Sequence, residues 1–132
     1  MPHLSFEYSR GLGQMADLDS FARAMRDAMA ETGVFPLGGI RVRGFEADVM
    51  AVADGGNHHF LDMVLRMGAG RDAAVRGRVA DTLYAAARAA LEPQVRTAFM
   101  LSLEVVEIDK ALSRKSWNTV HAAVAATGDA GD

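Results

Sequence analysis

Cysteine is absent from all 132 residues, so neither disulfide pairing nor thiolate chemistry is open to this chain. That absence fits a protein of the cytoplasm, which is the expected location. Long apolar runs are absent too. No stretch reaches the ~18 residues that a membrane span requires, and the N-terminus lacks the basic segment and apolar core of a secretory signal. The formal net charge of −3 excludes a general nucleic-acid binder. Histidine is scarce, and the adjacent pair His58-His59 would point to opposite faces of a strand. With no other histidine or cysteine at ligand spacing, neither a metal site nor a Ser/His/Asp or Cys/His nucleophile set is expected. GxGxxG, GxxxxGKS and GxxxxGKT patterns are missing, so no dinucleotide is expected, and nothing calls for another cofactor. Lysine is the rarest charged residue, with two against twelve arginines. Arginine is the side chain suited to fixed, bidentate grips on carboxylates.

What is present suffices for one packed domain, since half the residues are hydrophobic. His3 to Tyr8 alternates, with Leu4, Phe6 and Tyr8 on one face, which predicts a strand. Asp17 is placed to cap a helix carrying Leu18, Phe21, Ala22, Met25 and Ala28, with Gly33 as its stop. Ile40 to Arg43 begins a second strand whose parity changes at Gly44, which predicts a bulge or bend there. Asp54-Gly55-Gly56-Asn57 reads as a hairpin turn into a third strand bearing Leu61, Met63, Leu65 and Met67. Val75, Val79, Leu83, Ala86, Ala87 and Ala90 mark a second helix that ends before Pro93. Thr97 to Glu107 predicts a fourth strand, with Phe99, Leu101, Leu103 and Val105 on one side. Residues 110–121 read as a polar segment that packs across a subunit boundary, and 123–132 as a disordered tail.

The order β-α-β is thus used twice, in halves 1–54 and 55–109 of a domain spanning 1–122. The expected class is α+β: a four-stranded mixed sheet with both helices on one face. The other face is bare and partly apolar, so an oligomer is expected.

Three features carry candidate chemistry. Pro2 is tolerated at the start of a strand because no amide N–H is needed there. If Met1 is clipped, the same residue becomes a secondary amine able to work as a base near neutral pH. Arg41 and Arg43 share a strand face, either as a solvated pair or as an anion grip. Gly68-Ala69-Gly70-Arg71 leads a strand into a helix, where Arg71 could meet a carboxylate. The methionines at 25, 29, 63 and 67 read as core filler.

Met1-Pro2-His3, ETGVFPLGGIRVR (31–43), MVLRMGAGR (63–71) and WNTVHA (117–122) together resemble the 5-carboxymethyl-2-hydroxymuconate isomerase family of the tautomerase superfamily. The likeness runs from residue 1 to about 122. It implies a homotrimer of β-α-β-β-α-β subunits and a cofactor-free enol–keto isomerase acting on a carboxylated dienol. It also implies that Pro2, freed by loss of Met1, is the base and that Arg41 binds and polarises substrate. Arg43 and Arg71 fall on the family's basic positions, and Phe35 and Met67 where the superfamily lines an apolar pocket. Two other readings stand beside it. One is a relative acting on another 2-hydroxydienoate or an enol-pyruvate. The other is a non-catalytic trimeric binding protein.

Overall fold

Alternating burial defines the strands. In a computed structural model that describes residues 1–127, β1 (His3–Tyr8) buries Leu4 and Phe6. β3 (His58–Gly68) buries Leu61, Met63, Leu65 and Met67 on the same side of the sheet. α1 (Leu18–Glu31) answers with Phe21, Met25, Ala28 and Met29, and α2 (Ala73–Leu91) with Val79, Leu83, Ala87 and Leu91. These stripes recur every three or four residues, so each helix lays one face on the sheet. Each fully buried side chain of this size contributes about 1.5–3 kcal/mol. Phe6 and Phe21 meet edge to face, 5.1 Å between centroids. The Asp17 carboxylate accepts from Ser20 N at the start of α1, and the Asp72 carboxylate from Val75 N at the start of α2.

β2 (Arg41–Glu46) and β4 (Ala98–Ile108) complete a sheet of order β2-β1-β3-β4. β1 runs parallel to β2 and antiparallel to β3, and β3 runs parallel to β4. The mixed sheet with both long helices on one face is therefore as expected. No helix among the described residues is long and apolar enough to cross a membrane.

Three local expectations fail for physical reasons. β2 has no bulge at Gly44, because its pairing with β1 is continuous from Arg41 to Glu46. Gly44, though exposed, lies beside Phe6 on the helix-side face, and a Cβ there would lie 2.2 Å from the Phe6 ring. The parity change is instead an apolar residue, Phe45, set on the open face and 53% exposed. The turn at Asp54–Asn57 does not join neighbouring strands, since β1 lies between β2 and β3. Nor does regular structure end at 122, because α3 (Val120–Ala126) continues past it. Of the expected tail, 128–132 lies outside the described residues. The segment after β4 packs on its own protomer, with α3 against the 3-10 turn Leu37–Gly39. The face opposite α1 and α2 stays open, with Phe45, Met100 and Val106 exposed on it.

Candidate active site

Strand register brings the site together. The Pro2 carbonyl accepts from Arg41 N at 3.2 Å, so β1 and β2 begin side by side. Antiparallel pairing sets Arg66 of β3 opposite His3, which delivers the end of β3 and the loop Gly68–Arg71 to the same edge. The Leu37–Gly39 turn approaches from the other side. A Cβ on Gly39 would lie only 3.3 Å from Pro2 Cδ. One on Gly38 would lie 2.6 Å from His121 Nδ1 and 3.1 Å from the His121 backbone. The two glycines therefore leave room for Pro2 and for the start of α3.

The result is a cavity of about 530 Å³ lined by Pro2, Phe35, Arg71, Lys110, Lys115 and His121, with Met1 at its edge. No Asp or Glu lines it, in a chain whose acids outnumber its bases. Among the described residues, Arg71, Lys110 and Lys115 join none of the ion pairs. Arg71 is held rigidly: Nη1 donates to Gly68 O at 3.3 Å and Nη2 to Val34 O at 3.0 Å. Its guanidinium also stands 5.7 Å from the centroid of the Phe35 ring. Both backbone bonds leave N–H donors of the fork for a ligand.

Charge and burial act on the terminal amine. The Met1 amino group is pushed below its ordinary value of 8.0, first by burial, then by hydrogen bonding to Lys115 and by the charges of Lys115, Arg71 and Arg41. His3 is also lowered, by burial first and then by Arg66, Arg43, the terminal amine and Arg41. While Met1 is attached, the Pro2 nitrogen is an amide without basicity. Loss of Met1 would place a secondary amine one residue further into the same surroundings.

Of the residues singled out from sequence, Pro2, Phe35 and Arg71 line this one cavity. Arg41 stands just behind it, with Nη1 bonded to Gly38 O and Ile40 O, and reaches the site by its charge. Arg43 lies on the open sheet face, 3.2 Å from His3 Nδ1, outside the cavity. Met67, by contrast, is fully buried on the helix side of β3 and does not line this cavity. The core reading suits it, because strand parity turns it away from the site. His58 and His59 are engaged elsewhere, with Asp54 at 2.6 Å and Ser9 Oγ at 2.7 Å. Lys110, Lys115 and His121 were not among the sequence candidates. Their signal was available: both lysines of an arginine-rich chain fall within six consecutive residues.

Comparison with known proteins agrees along the whole domain. The family model described as 5-carboxymethyl-2-hydroxymuconate isomerase matches residues 2–124. A 5-carboxymethyl-2-hydroxymuconate Delta-isomerase of Escherichia coli is 32% identical over 124 residues, covering 92% of this chain and 98% of that protein. A crystal structure of a 5-carboxymethyl-2-hydroxymuconate delta-isomerase superposes with a TM-score of 0.88 at 32% identity, covering 94% of this chain and 93% of the other. A fused 4-OT described as a wild-type symmetric trimer shares the fold alone, at 18% identity and a TM-score of 0.63, over 88% and 95% of the two chains.

Proposed function

The chain belongs to the 5-carboxymethyl-2-hydroxymuconate isomerase family and is a keto–enol isomerase; from that premise we propose that it ketonises 5-carboxymethyl-2-hydroxymuconate or a closely similar carboxylated dienol. Pro2, freed of Met1, is the base. The amine takes the enol O–H proton, the C–O bond becomes a carbonyl, and the double bonds shift along the chain. The protonated amine then returns a proton to a distal carbon, so atoms and charge balance without any added reactant. Arg71 and Phe35 hold the conjugated acid, and Arg41 adds positive potential from behind. A cationic site favours the dienolate more than the dienol with its enol hydroxyl intact, which lowers the barrier. The same charges lower the pKa of an amine in this place and so favour its free-base form.

The observation that carries the reading is a carboxylate-free cavity in which Pro2 and three cations face one space. The working form is proposed to be a homotrimer. The open sheet face, with exposed Phe45 and Met100, needs a cover, and the same fold occurs in a symmetric trimer. An ultraviolet ketonisation assay with 5-carboxymethyl-2-hydroxymuconate tests the function. The protein used must show loss of Met1 by intact mass. Rapid decay of the dienol absorbance is expected; no turnover by processed protein would defeat the substrate assignment.

A further inference from the structure

The reaction above needs a base, a polarising charge and one carboxylate grip, which Pro2, Arg41 and Arg71 supply. Lys110 and Lys115 add positive charge to that site but are assigned no direct contact with the substrate, and they are the only lysines in the chain. A second cleft of about 560 Å³ opens on the sheet side of the site, lined by His3, Arg66 and Trp117 among others. The two clefts share Met1, Gly68, Lys110 and Lys115. Both lysines therefore stand where the clefts meet, beside the point at which Pro2 acts.

Local bonds fix the segment that carries them. The Asp109 carboxylate accepts from Ala111 N at 2.9 Å, and Arg114 Nη1 donates to Ala111 O at 3.0 Å. The Asn118 side-chain Oδ1 accepts from Val120 N at 2.9 Å, and the following helix rests on Gly38. Lys110 reaches over the glycine loop, with Nζ 3.5 Å from where a Cβ on Gly70 would stand. Lys115 lines both clefts beside the terminal amino group and is near enough for its charge to lower that amine.

We propose that Lys110 and Lys115 form a separate grip for the third carboxylate of the substrate, the flexible carboxymethyl arm, and so set preference for a tricarboxylate over a dicarboxylate dienol. The choice of side chain fits the chemistry. Arg71, pinned by two carbonyls, offers a rigid planar fork to the planar conjugated end. A carboxylate on a saturated arm can rotate and presents no fixed plane. An ammonium on a flexible stem follows it, because a point charge has no preferred in-plane geometry. The cleft junction leaves space for such an arm to branch away from the conjugated chain.

This inference rests on the proposed reaction but is tested apart from it. Lys110→Met, Lys115→Met and Lys115→Arg proteins, all shown by mass to lack Met1, are assayed on the alkaline plateau of activity. The substrates are 5-carboxymethyl-2-hydroxymuconate, with three carboxylates, and 2-hydroxymuconate, with two. Each Met variant should raise KM for the first about tenfold, the order expected for a lost charged hydrogen bond, and leave KM for the second nearly unchanged. Lys115→Arg should recover most of the loss. Equal rises for both substrates, or none for either, would overturn the grip. Calorimetric titration with propane-1,2,3-tricarboxylate and with glutarate gives a readout without turnover. A wild-type protein that converts neither dienol, yet binds the tricarboxylate through its lysines, would keep the grip and remove the reaction. Turnover of both dienols that is indifferent to the lysines would do the reverse.

Discussion

The two halves of the domain begin alike and end in opposite chemistry. β1 starts at His3 and β3 at His58, and their antiparallel pairing sends the two starts to opposite ends of the sheet. Each end has a cavity. The one at the β3 start is about 440 Å³ and holds Arg10, His58 and His59. There the polar groups are paired: His58 with Asp54, His59 with Ser9, Arg10 with the Asp48 carbonyl, and Glu46 with Gly11 N. At the β1 start, Arg71, Lys110 and Lys115 face a cavity with no carboxylate. Burial, hydrogen bonds and matched charge satisfy one end, and the other keeps its positive charge for a ligand. The difference arises from two additions outside the repeated plan, a proline ahead of β1 and a segment after β4 that folds back to wall the cavity.

The strongest way to break the comparison is to disable the β1 end alone. Protein retaining Met1, identified by intact mass, should lose about 10²–10⁴-fold in kcat, since the general base is then an amide. Removal of Met1 from the same preparation should restore it. Next in size is Arg71→Ala. Loss of charged hydrogen bonds worth about 1.5–3 kcal/mol should cut kcat/KM by roughly 10- to 150-fold, read by steady-state kinetics. Gly38→Ala should act more weakly and at a distance. The new methyl meets the His121 backbone, so the C-terminal wall must shift. KM should rise severalfold and stability fall by about 1–3 kcal/mol in denaturant unfolding. The smallest effect belongs to the other end. Asp54→Asn frees His58 yet should leave kcat/KM within about twofold, because it alters an exposed pair remote from the cavity.

Much of the scaffold was legible because burial leaves a period in the letters. Leu61, Met63, Leu65 and Met67 announce a strand, and Phe21, Met25 and Ala28 a helix, whatever their neighbours do. Pro2 and Arg71 were legible for a different reason: each is unusual at its place, a proline before a strand and an arginine after a glycine loop. Gly44 misled because its missing side chain serves the Phe6 ring across the sheet, a contact no local pattern records. The turn at Asp54 was recognisable as a turn, but its strand partners depend on β1 slotting between β2 and β3. Met67 shows the limit of carrying a motif over, since alternation along β3 already turned it toward the helices. Lys110, Lys115 and His121 escaped notice because their placement depends on α3 seating on Gly38, which lies 83 residues before His121 in the chain but adjacent to it in space.

The most direct measurement is the titration of the Pro2 nitrogen itself, by ¹⁵N NMR on protein lacking Met1, set beside the pH profile of kcat/KM. The free base is the active form, so activity must rise as pH passes upward through the amine's pKa. Burial and the charges of Lys115, Arg71 and Arg41 lower an amine in this place, so that rise should be centred below the pKa of the same N-terminal proline in a short unstructured peptide. Coincidence of the nitrogen titration with the acidic limb of the profile, both below that value, is the expected result. A nitrogen that titrates at or above it, or a limb that ignores the nitrogen, would contradict the assignment of Pro2 as the base.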